Sequence, residues 1–405
     1  MTPPQRKVAD TPGETDTMGA ISDIEKVDSL RPYPDKQGIP GSMTTRREFL
    51  ERAGAVSMGA AFFTSLASVS QAAGLDTSSG AATVQTVSGT INVSGLGFTL
   101  PHEHIADAPG VLDRWPKAWG GRAGLIARAV DRLQAMKAAG VDTIVDLTTY
   151  DAGRDIRFLE EVARKSGIHI IACTGQRFFP PRFPHVKMPS TSIAGLAEYF
   201  VKEIDRGIDG TGVKAGVIKI GIVTDRPTRL EEKGLRAGVR ASKATGVPIR
   251  IHTDAAHHAA DNIAAILENE GMNPARVSFD HSDDSGDMDY FLRLLKRGYF
   301  LSMDHTHRGL NADAKLTFEK RTDCIKQLVD AGFADRLFLS TDSEFGGALL
   351  PEKARDWREN LDPAEGMLFS IRKLIPRLEE LRVSEQQIQT MTVENPKAFF
   401  SRART

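Results

Sequence analysis

An alternation of short β-branched segments with longer amphipathic ones, repeated eight times from Gln85 onward, restricts the possible folds of this chain more than any other feature. Strands that are apolar on both faces and separated by helices favour parallel pairing. Eight such units over roughly 300 residues predict an α/β fold, a (β/α)8 TIM barrel. The predicted strands are Gly97–Leu100, Thr143–Leu147, His169–Cys173, Gly216–Ile220, Pro248–Ile251, Val277–Phe279, Tyr299–Met303 and Leu337–Ser340.

The segments between these strands have the periodicity of amphipathic helices, and a glycine follows most of them. A glycine just past the end of a helix can take the left-handed conformation that ends it. The alternative fold is an open doubly wound sheet, which normally carries a glycine-rich phosphate-binding turn after its first strand. No such turn follows Gly97–Leu100, so the barrel is preferred. The clearest predicted helices are Arg122–Ala139, Ile193–Arg206, Leu230–Thr245, His257–Glu270 and Asp313–Asp330, and the glycines are Gly140, Gly167, Gly246, Gly271, Gly298 and Gly332.

Length, charge and cysteine content exclude several classes of protein. The chain has 405 residues, enough for a large core, and a formal net charge of −1. Because no basic stripe accompanies this charge, nucleic acid is not an expected partner. The only two cysteines, Cys173 and Cys324, are far apart in sequence, which excludes a disulfide framework and a cysteine-based zinc site. Both are expected to be buried as small apolar side chains.

The N-terminal part of the chain does not share the barrel pattern. Residues 1–42 mix Pro, Gly, Asp and Lys without apolar periodicity, which predicts a disordered extension or a misassigned start. Residues 43–72 contain the pair Arg46 and Arg47, the apolar run Ala53–Val69 and a small-residue end. These features predict a twin-arginine signal peptide.

The signal peptide predicts export to the periplasm and leaves residues 73–405 as the barrel domain. The alternative is a surface helix that happens to begin with two arginines. No later segment approaches the stretch of about 20 apolar residues that spans a bilayer. We therefore expect no membrane contact after processing.

Two histidines one residue apart, His102 and His104, follow the first predicted strand. Because side chains alternate faces along a strand, these imidazoles point the same way and Glu103 points the other. Such a pair can form half of a site for a divalent cation, although it also occurs by chance on surface strands. In a (β/α)8 barrel the C-terminal ends of all strands form one rim. Further potential ligands at strand ends are Lys219, His252, His281, His305 and Asp342.

Each of these residues also has a structural explanation when it is considered alone. His252 or His281 could be a hydrogen-bonded barrel histidine, and Asp342 could cap the following helix. Lys219 is harder to explain, because Val217–Ile220 places its ammonium inside a doubly buried strand, where an unpaired charge is costly. The joint occurrence of these residues in barrel order favours a metal site.

The segment from Gly97 to Ile105, with the sequence Gly-Phe-Thr-Leu-Pro-His-Glu-His-Ile, resembles the opening motif of the phosphotriesterase family in the amidohydrolase superfamily. The resemblance extends from about Val84 to Phe400. It includes the motif His-Ser-Asp-Asp at 281–284 and the segment 298–305. It implies a binuclear metal site in which His102, His104 and Asp342 hold the more buried cation, His252 and His281 hold the more exposed one, and Lys219, carboxylated by CO₂, bridges both.

The same resemblance implies a mechanism and cofactors. A hydroxide that bridges the two cations would be the nucleophile, because divalent cations lower the pKa of water. Asp342 would accept its proton, and Asp284 with His305 would carry the proton outward. The more exposed cation would polarise an oxygen of a small ester substrate. Zn²⁺ is the expected metal, with Co²⁺ and Mn²⁺ as alternatives, and a homodimer is expected by analogy with family members.

The loops after the strands differ from those of the organophosphate hydrolases in this family. Arg177 stands where those enzymes place a tryptophan, Phe178 follows it, and Glu344 with Phe345 replace a more aromatic run after the last strand. Arg177 is either a substrate contact or a solvated loop charge. Lactonases of the family typically have a tyrosine in the first of these loops and an arginine at the position of His305, and this chain has neither.

We therefore expect hydrolysis of phosphotriesters, with lactones or carboxylic esters as the second choice for the same scaffold. Two further possibilities are an inactive relative that binds a small molecule and a mononuclear deaminase of the superfamily. The complete set of six ligand positions argues against the inactive relative. Lys219 argues against the deaminase, where it would have no purpose.

Overall fold

The ranges that the computed structural model describes are 82–105, 121–181, 187–343 and 366–401. The predicted extension 1–42, the predicted signal peptide 43–72 and the pocket residues Glu344 and Phe345 lie outside these ranges. Their structure and roles therefore stay predictions.

A short antiparallel hairpin precedes the barrel and was not predicted from the sequence. It consists of β1 (Thr83–Thr86) and β2 (Gly89–Asn92). The N–H of Val87, in the hairpin turn, donates to the carbonyl of Ile170 at 2.8 Å. The hairpin is therefore attached to the N-terminal end of a barrel strand, opposite the rim where the chemistry of such barrels lies.

Eight parallel strands form the main sheet, and each pairs with its neighbour in sequence. This order lacks the reversal that defines a doubly wound sheet. The predicted (β/α)8 barrel is therefore confirmed. Its strands are β3 (Thr99–Glu103), β4 (Thr143–Asp146), β5 (His169–Gln176), β6 (Val217–Gly221), β7 (Ile249–His252), β8 (Val277–Asp280), β9 (Phe300–Met303) and β10 (Leu337–Leu339).

Helices connect the strands, and the predicted helix ends agree with the observed ones to within a few residues. The six glycines expected past helix ends all have positive φ, from 64° to 102°. The helices are α1 (Gly121–Ala138), α2 (Ile156–Ser166), α3 (Ile193–Asp205), α4 (Arg229–Thr245), α5 (Ala259–Asn269), α6 (Met288–Lys296), α7 (Phe318–Asp330), α8 (Ile375–Glu380), α9 (Glu385–Gln389) and α10 (Asn395–Phe400). Shorter 3₁₀ turns lie at Val93–Leu96, Tyr150–Ala152, Ala255–His257, Pro274–Arg276, Ser282–Asp284, Thr306–Leu310, Ala334–Arg336 and Gly366–Leu368, and π-helical turns at Ser370–Leu374 and Thr390–Glu394.

The barrel interior changes from apolar to polar along its axis. Val217, Phe300 and Phe338 fill the interior together with Phe399, which reaches it from the C-terminal helix α10. Because side chains alternate along a strand, the residue two positions after Val217 also faces inward, and that residue is Lys219. The apolar side chains of the barrel interior thus lie beneath a layer of buried polar side chains next to the rim.

A second apolar cluster lies between the strands and the surrounding helices. Cys173 and Cys324 are buried free thiols, as expected. Among the described helices, none combines the length and the apolar composition needed to cross a bilayer.

Candidate metal centre

The barrel closes where β3 meets the segment 340–343 that follows β10. Asp342 N–H donates to the carbonyl of His102 at 3.0 Å, and His104 N–H donates to the carbonyl of Ser343 at 2.9 Å. The closing seam of the barrel therefore brings together three of the predicted metal ligands, which come from opposite ends of the domain sequence.

Glu103 holds this seam from the side opposite the two histidines. Its buried carboxylate accepts hydrogen bonds at 2.7–2.9 Å from the N–H groups of Thr341 and Ser343 and from the hydroxyls of Ser340 and Thr341. Burial outweighs these bonds and raises the pKa of Glu103 to about 8. Glu103 thus fixes the backbone on both sides of Asp342.

Removal of the Glu103 side chain should destabilise the fold strongly. In Glu103→Ala, buried N–H and O–H donors on three residues lose their acceptor, and each such group costs about 1–3 kcal/mol. We expect a loss of about 3 kcal/mol or more in the free energy of unfolding, measured by urea denaturation.

The control for this variant is Glu394→Ala, which removes a carboxylate that is 49% exposed. We expect Glu394→Ala to change the free energy of unfolding by about 0.5 kcal/mol or less. Similar losses for both variants would contradict the proposed role of Glu103 in the seam.

His102, His104 and Asp342 converge on one point inside the rim. Asp342 Oδ1 lies 3.3 Å from His102 Nε2 and 3.2 Å from His104 Nε2. On its other nitrogen, His104 Nδ1 lies 2.9 Å from the hydroxyl of Thr148. The two Nε2 atoms and the carboxylate oxygen can therefore serve as ligands of a single cation.

His252 and His281 form the second half of the cluster. His281 Nε2 lies 2.7 Å from His252 Nδ1, and the two rings are inclined by 73°. The rings of His281 and His102 are 5.0 Å apart between centroids, so the two halves adjoin. The structure thus brings all five predicted ligands other than Lys219 into one cluster.

Lys219 also points into this cluster, where it has a charged partner. Its Nζ lies 3.4 Å from His102 Nε2 and forms an ion pair with Asp280. The second carboxylate oxygen of Asp280 lies 2.7 Å from Arg250 Nη2. Asp280, at the end of β8, therefore supplies a buried counter-charge for Lys219.

Asp304 orients one histidine from each half of the cluster. Its Oδ2 lies 2.7 Å from His102 Nδ1, and its Oδ1 lies 3.0 Å from His281 Nδ1. A carboxylate can only accept, so both Nδ1 atoms carry the proton, and both Nε2 atoms keep a lone pair that can bind a cation.

Two of the candidate ligands have a strained backbone. His281 has a φ of 60° and Asp342 a φ of 45°, in the left-handed region that non-glycine residues seldom occupy. His281 directly follows β8, and Asp342 lies three residues after the end of β10. Strain of this kind persists at functional sites because the surrounding contacts fix the side chain where it is needed.

A hydrogen-bonded chain leads from the cluster toward solvent. His305 Nε2 lies 2.9 Å from Asp342 Oδ2, and His305 Nδ1 lies 2.7 Å from Asp284 Oδ2. Burial and the charge of Arg308 act to lower the pKa of His305, but the two carboxylates outweigh them and raise it to about 9. Asp284 is 27% exposed, so the chain ends at the surface.

The protonation states of the cluster suit divalent cations. Burial holds the pKa values of His102, His252 and His281 well below their ordinary value, so these rings are neutral, as ligands must be. Burial acts to raise the pKa of Asp342, but His102 and its other histidine partners hold it well below its ordinary value. Neutral imidazole nitrogens with one ionised carboxylate form the donor set that Zn²⁺ and similar metals prefer.

The phosphotriesterase family model matches residues 82–400, almost the whole of the described barrel. The chain belongs to the phosphotriesterase family. A phosphotriesterase homology protein of Mycobacterium tuberculosis is 33% identical over 332 residues, which cover 79% of this chain and 98% of the relative. The solved structure of the phosphotriesterase from Mycobacterium tuberculosis matches with a TM-score of 0.70 at 32% identity and covers 79% of this chain and 98% of that one.

Other relatives carry the names of different hydrolases. An aryldialkylphosphatase of Saccharolobus solfataricus is 32% identical, covering 77% of this chain and 97% of the relative. An N-acetyltaurine hydrolase of Xenopus tropicalis is 27% identical, covering 78% of this chain and 97% of the relative. Membership of the phosphotriesterase family and these relatives identify the protein as a hydrolase.

In this member of the phosphotriesterase family, the predicted pocket residues Arg177 and Phe178 follow β5 at the rim. Both are half-buried, and the Arg177 guanidinium lies over the Phe178 ring at 5.3 Å from its centroid. Near the start of α5, His257 is exposed and His258 is half-buried, and each pairs with an aspartate.

Four residues around the site of this phosphotriesterase-family chain were not predicted from the sequence. Asp304 and Asp280 each precede a rim histidine directly, and an acidic residue in that position is the signal that could have identified them. Arg250 and Arg308 carry no comparable signal, because their importance depends on contacts across strands.

Proposed function

We propose that this protein hydrolyses phosphotriesters at a binuclear metal centre. The ligands in this proposal are His102, His104, Lys219, His252, His281 and Asp342. The observation that carries the proposal is the unbroken chain from Asp342 through His305 to Asp284, which begins at the ligand cluster and ends at the surface.

Two bound divalent cations would supply a water of lowered pKa as the nucleophile and would polarise the phosphoryl or carbonyl oxygen of the substrate. Asp342, His305 and Asp284 would then carry the proton of this water toward solvent. Asp342 accepts it at Oδ2, and the neutral form of His305 takes it from there at Nε2. Nδ1 of the resulting imidazolium then passes a proton to Asp284. Because the two ring nitrogens of His305 contact different carboxylates, one imidazole can connect both without moving.

Lys219 in this proposal is carboxylated on Nζ by CO₂, which converts it from a cation into an anionic ligand. Formation of the carbamate needs a neutral amine, and burial lowers the pKa of Lys219 although Asp280 opposes this. Arg250 supports the proposal, because it remains as the counter-charge of Asp280 when the lysine is no longer cationic.

The second choice of substrate is a lactone or carboxylic ester on the same scaffold. The metal centre can serve either reaction, since hydroxide addition to a carbonyl and displacement at phosphorus need the same nucleophile. His305 favours phosphotriesters, because lactonases of the family typically have an arginine at this position. The aryldialkylphosphatase among the relatives supports the same choice.

The experiment is a hydrolysis panel on purified protein reconstituted with Zn²⁺ or Co²⁺. The panel pairs aryl dialkyl phosphates with lactones, aryl carboxylic esters and N-acyl amines, and a chelator-treated sample is the control. We expect the highest kcat/KM for the aryl phosphotriesters. A value for lactones about tenfold or more above that for the phosphotriesters would contradict the first choice and favour the second.

We propose that the protein is exported by the twin-arginine pathway through Arg46 and Arg47 and functions in the periplasm. We also propose that it holds two zinc ions and forms a homodimer. The sequence of residues 43–72 supports the export, since a folded, metal-loaded barrel is the type of cargo that this pathway carries.

A further inference from the structure

Arg308 lies at the solvent side of the metal cluster. Its Nη2 is 3.6 Å from Asp342 Oδ2 and its Nη1 is 3.9 Å from Asp284 Oδ2. The side chain of Arg308 is 30% exposed, whereas those of the four histidines within 4 Å of the Asp342 carboxylate are at most 5% exposed. Among these described neighbours of the Asp342 carboxylate, Arg308 is therefore the one that is open to solvent.

The donors of Arg308 are not used by the carboxylates beside it. Both distances exceed hydrogen-bond length, and Nε of Arg308 is buried with no hydrogen-bond partner among the described residues. Asp284 already has His305 at 2.7 Å and Arg321 Nη1 at 3.0 Å. Arg308 thus brings a positive charge to the rim without satisfying an acceptor of the described protein.

Arg177 brings a second guanidinium to the other half of the cluster. Its carbonyl oxygen approaches Gly221, and Gly221 is paired with His252 across β6 and β7. After burial, His281 and Lys219, the charge of Arg177 also lowers the pKa of His252. Arg177 follows β5 and Arg308 follows β9, so the two cations come from loops on different sides of the site.

The backbone of Arg177 is held in place by two neighbouring loops. The buried carboxylate of Asp151 accepts from Arg177 N–H at 3.0 Å and from Phe178 N–H at 2.9 Å. At the end of β6, a Cβ on Gly221 would lie 1.7 Å from the Arg177 carbonyl oxygen, so only glycine permits this approach. A loop fixed in this way presents its side chain reproducibly to a ligand.

From this arrangement we infer that the natural substrate carries an anionic substituent, a carboxylate or sulfonate, which Arg308 and Arg177 bind beside the reacting ester. The inference rests on the proposed hydrolysis at this metal centre and specifies its substrate class. Guanidinium groups bind such planar or tetrahedral oxyanions through paired N–H donors. A wholly neutral substrate would offer no charge to Arg308, whose donors no described acceptor satisfies at hydrogen-bond distance.

The test uses two phosphotriesters with the same aryl leaving group. One carries a carboxylate on an alkyl arm, and the other carries the carboxamide of the same shape. For the wild-type enzyme we expect kcat/KM to be about tenfold or more higher for the carboxylate, and this preference should shrink at high ionic strength. In Arg308→Gln and Arg177→Gln the preference should fall about tenfold, mainly through KM, and Arg308→Lys should retain part of it.

The matched control is Arg336→Gln. Arg336 is 33% exposed and precedes β10, at the opposite end of the barrel from the rim. This variant should keep the full preference for the carboxylate. The decisive quantity is the ratio of kcat/KM for the carboxylate substrate to kcat/KM for the carboxamide substrate. Loss of Arg308 also alters the electrostatic field around Asp342 and therefore changes kcat for both substrates. No preference in the wild type, or an unchanged preference in both arginine variants, would overturn the inference.

Calorimetry separates this inference from the proposed function. If neither phosphotriester is hydrolysed, the proposed function fails. The inference is then tested by comparing the affinity for benzenesulfonate with the affinity for benzenesulfonamide. Preferential binding of the sulfonate that weakens about tenfold in Arg308→Gln supports it. Equal binding of the two probes, or binding that Arg308→Gln leaves unchanged, overturns it.

Discussion

Asp342→Asn should lower kcat by at least about 10²-fold on every substrate of the enzyme. The variant keeps the shape of the side chain but removes its charge, which both His102 and His104 face at 3.2–3.3 Å. An amide also cannot accept a proton and pass it to His305, 2.9 Å away. In the proposed mechanism, this one substitution therefore removes both a metal ligand and the first proton acceptor.

Steady-state kinetics together with elemental analysis measure both effects of Asp342→Asn. The control is Asp335→Asn, whose carboxylate is 60% exposed and precedes the same strand at its other end. We expect Asp335→Asn to retain the wild-type kcat and metal content. A kcat for Asp342→Asn within about threefold of the wild type would show that Asp342 is neither proton acceptor nor ligand.

Lys219→Ala should lose bound metal and, with it, nearly all activity. The wild-type protein is expected to hold about two divalent ions per chain, and the variant one or fewer. Without the Lys219 side chain, no group remains on β6 that can bridge the two halves of the cluster. A short-chain carboxylic acid, added in excess, should restore part of the metal content and activity, because it can occupy the space of the missing Lys219 carbamate.

Asp280→Asn distinguishes a ligand from an ion-pair partner. This variant removes the counter-charge of Lys219 and leaves the lysine in place. If Lys219 serves the metal, Asp280→Asn should keep much more metal than Lys219→Ala, as measured by elemental analysis. If Lys219→Ala retains two ions and only unfolds at a lower temperature, Lys219 is a structural partner of Asp280 and the bridging role is wrong.

Most of the barrel could be predicted from local sequence, since its signals are local. Alternation of strand and helix, glycines past helix ends and the absence of a phosphate-binding turn depend on neighbouring residues only. The hairpin formed by β1 and β2 was missed because no helix separates its two strands, so it lies outside the strand–helix alternation, and because it is attached to the barrel by a long-range contact.

The candidate ligands could also be found from the sequence, because a parallel barrel places every strand end on one rim. His102, His252, His281 and Asp342 follow this rule without knowledge of any contact. The alternation of side chains along a strand likewise places His102 and His104 on one face and Glu103 on the other.

The sequence by itself thus determined the barrel, the rim and the identity of the residues that can bind cations. Only the tertiary structure decided which partners these residues have. Asp280 neutralises Lys219, Asp304 orients His102 and His281, and Glu103 locks the seam that carries Asp342. These contacts join residues up to 240 positions apart in the chain. Periodicity encodes which face a side chain takes, whereas the partner across the barrel depends on the register of other strands, which no local pattern specifies.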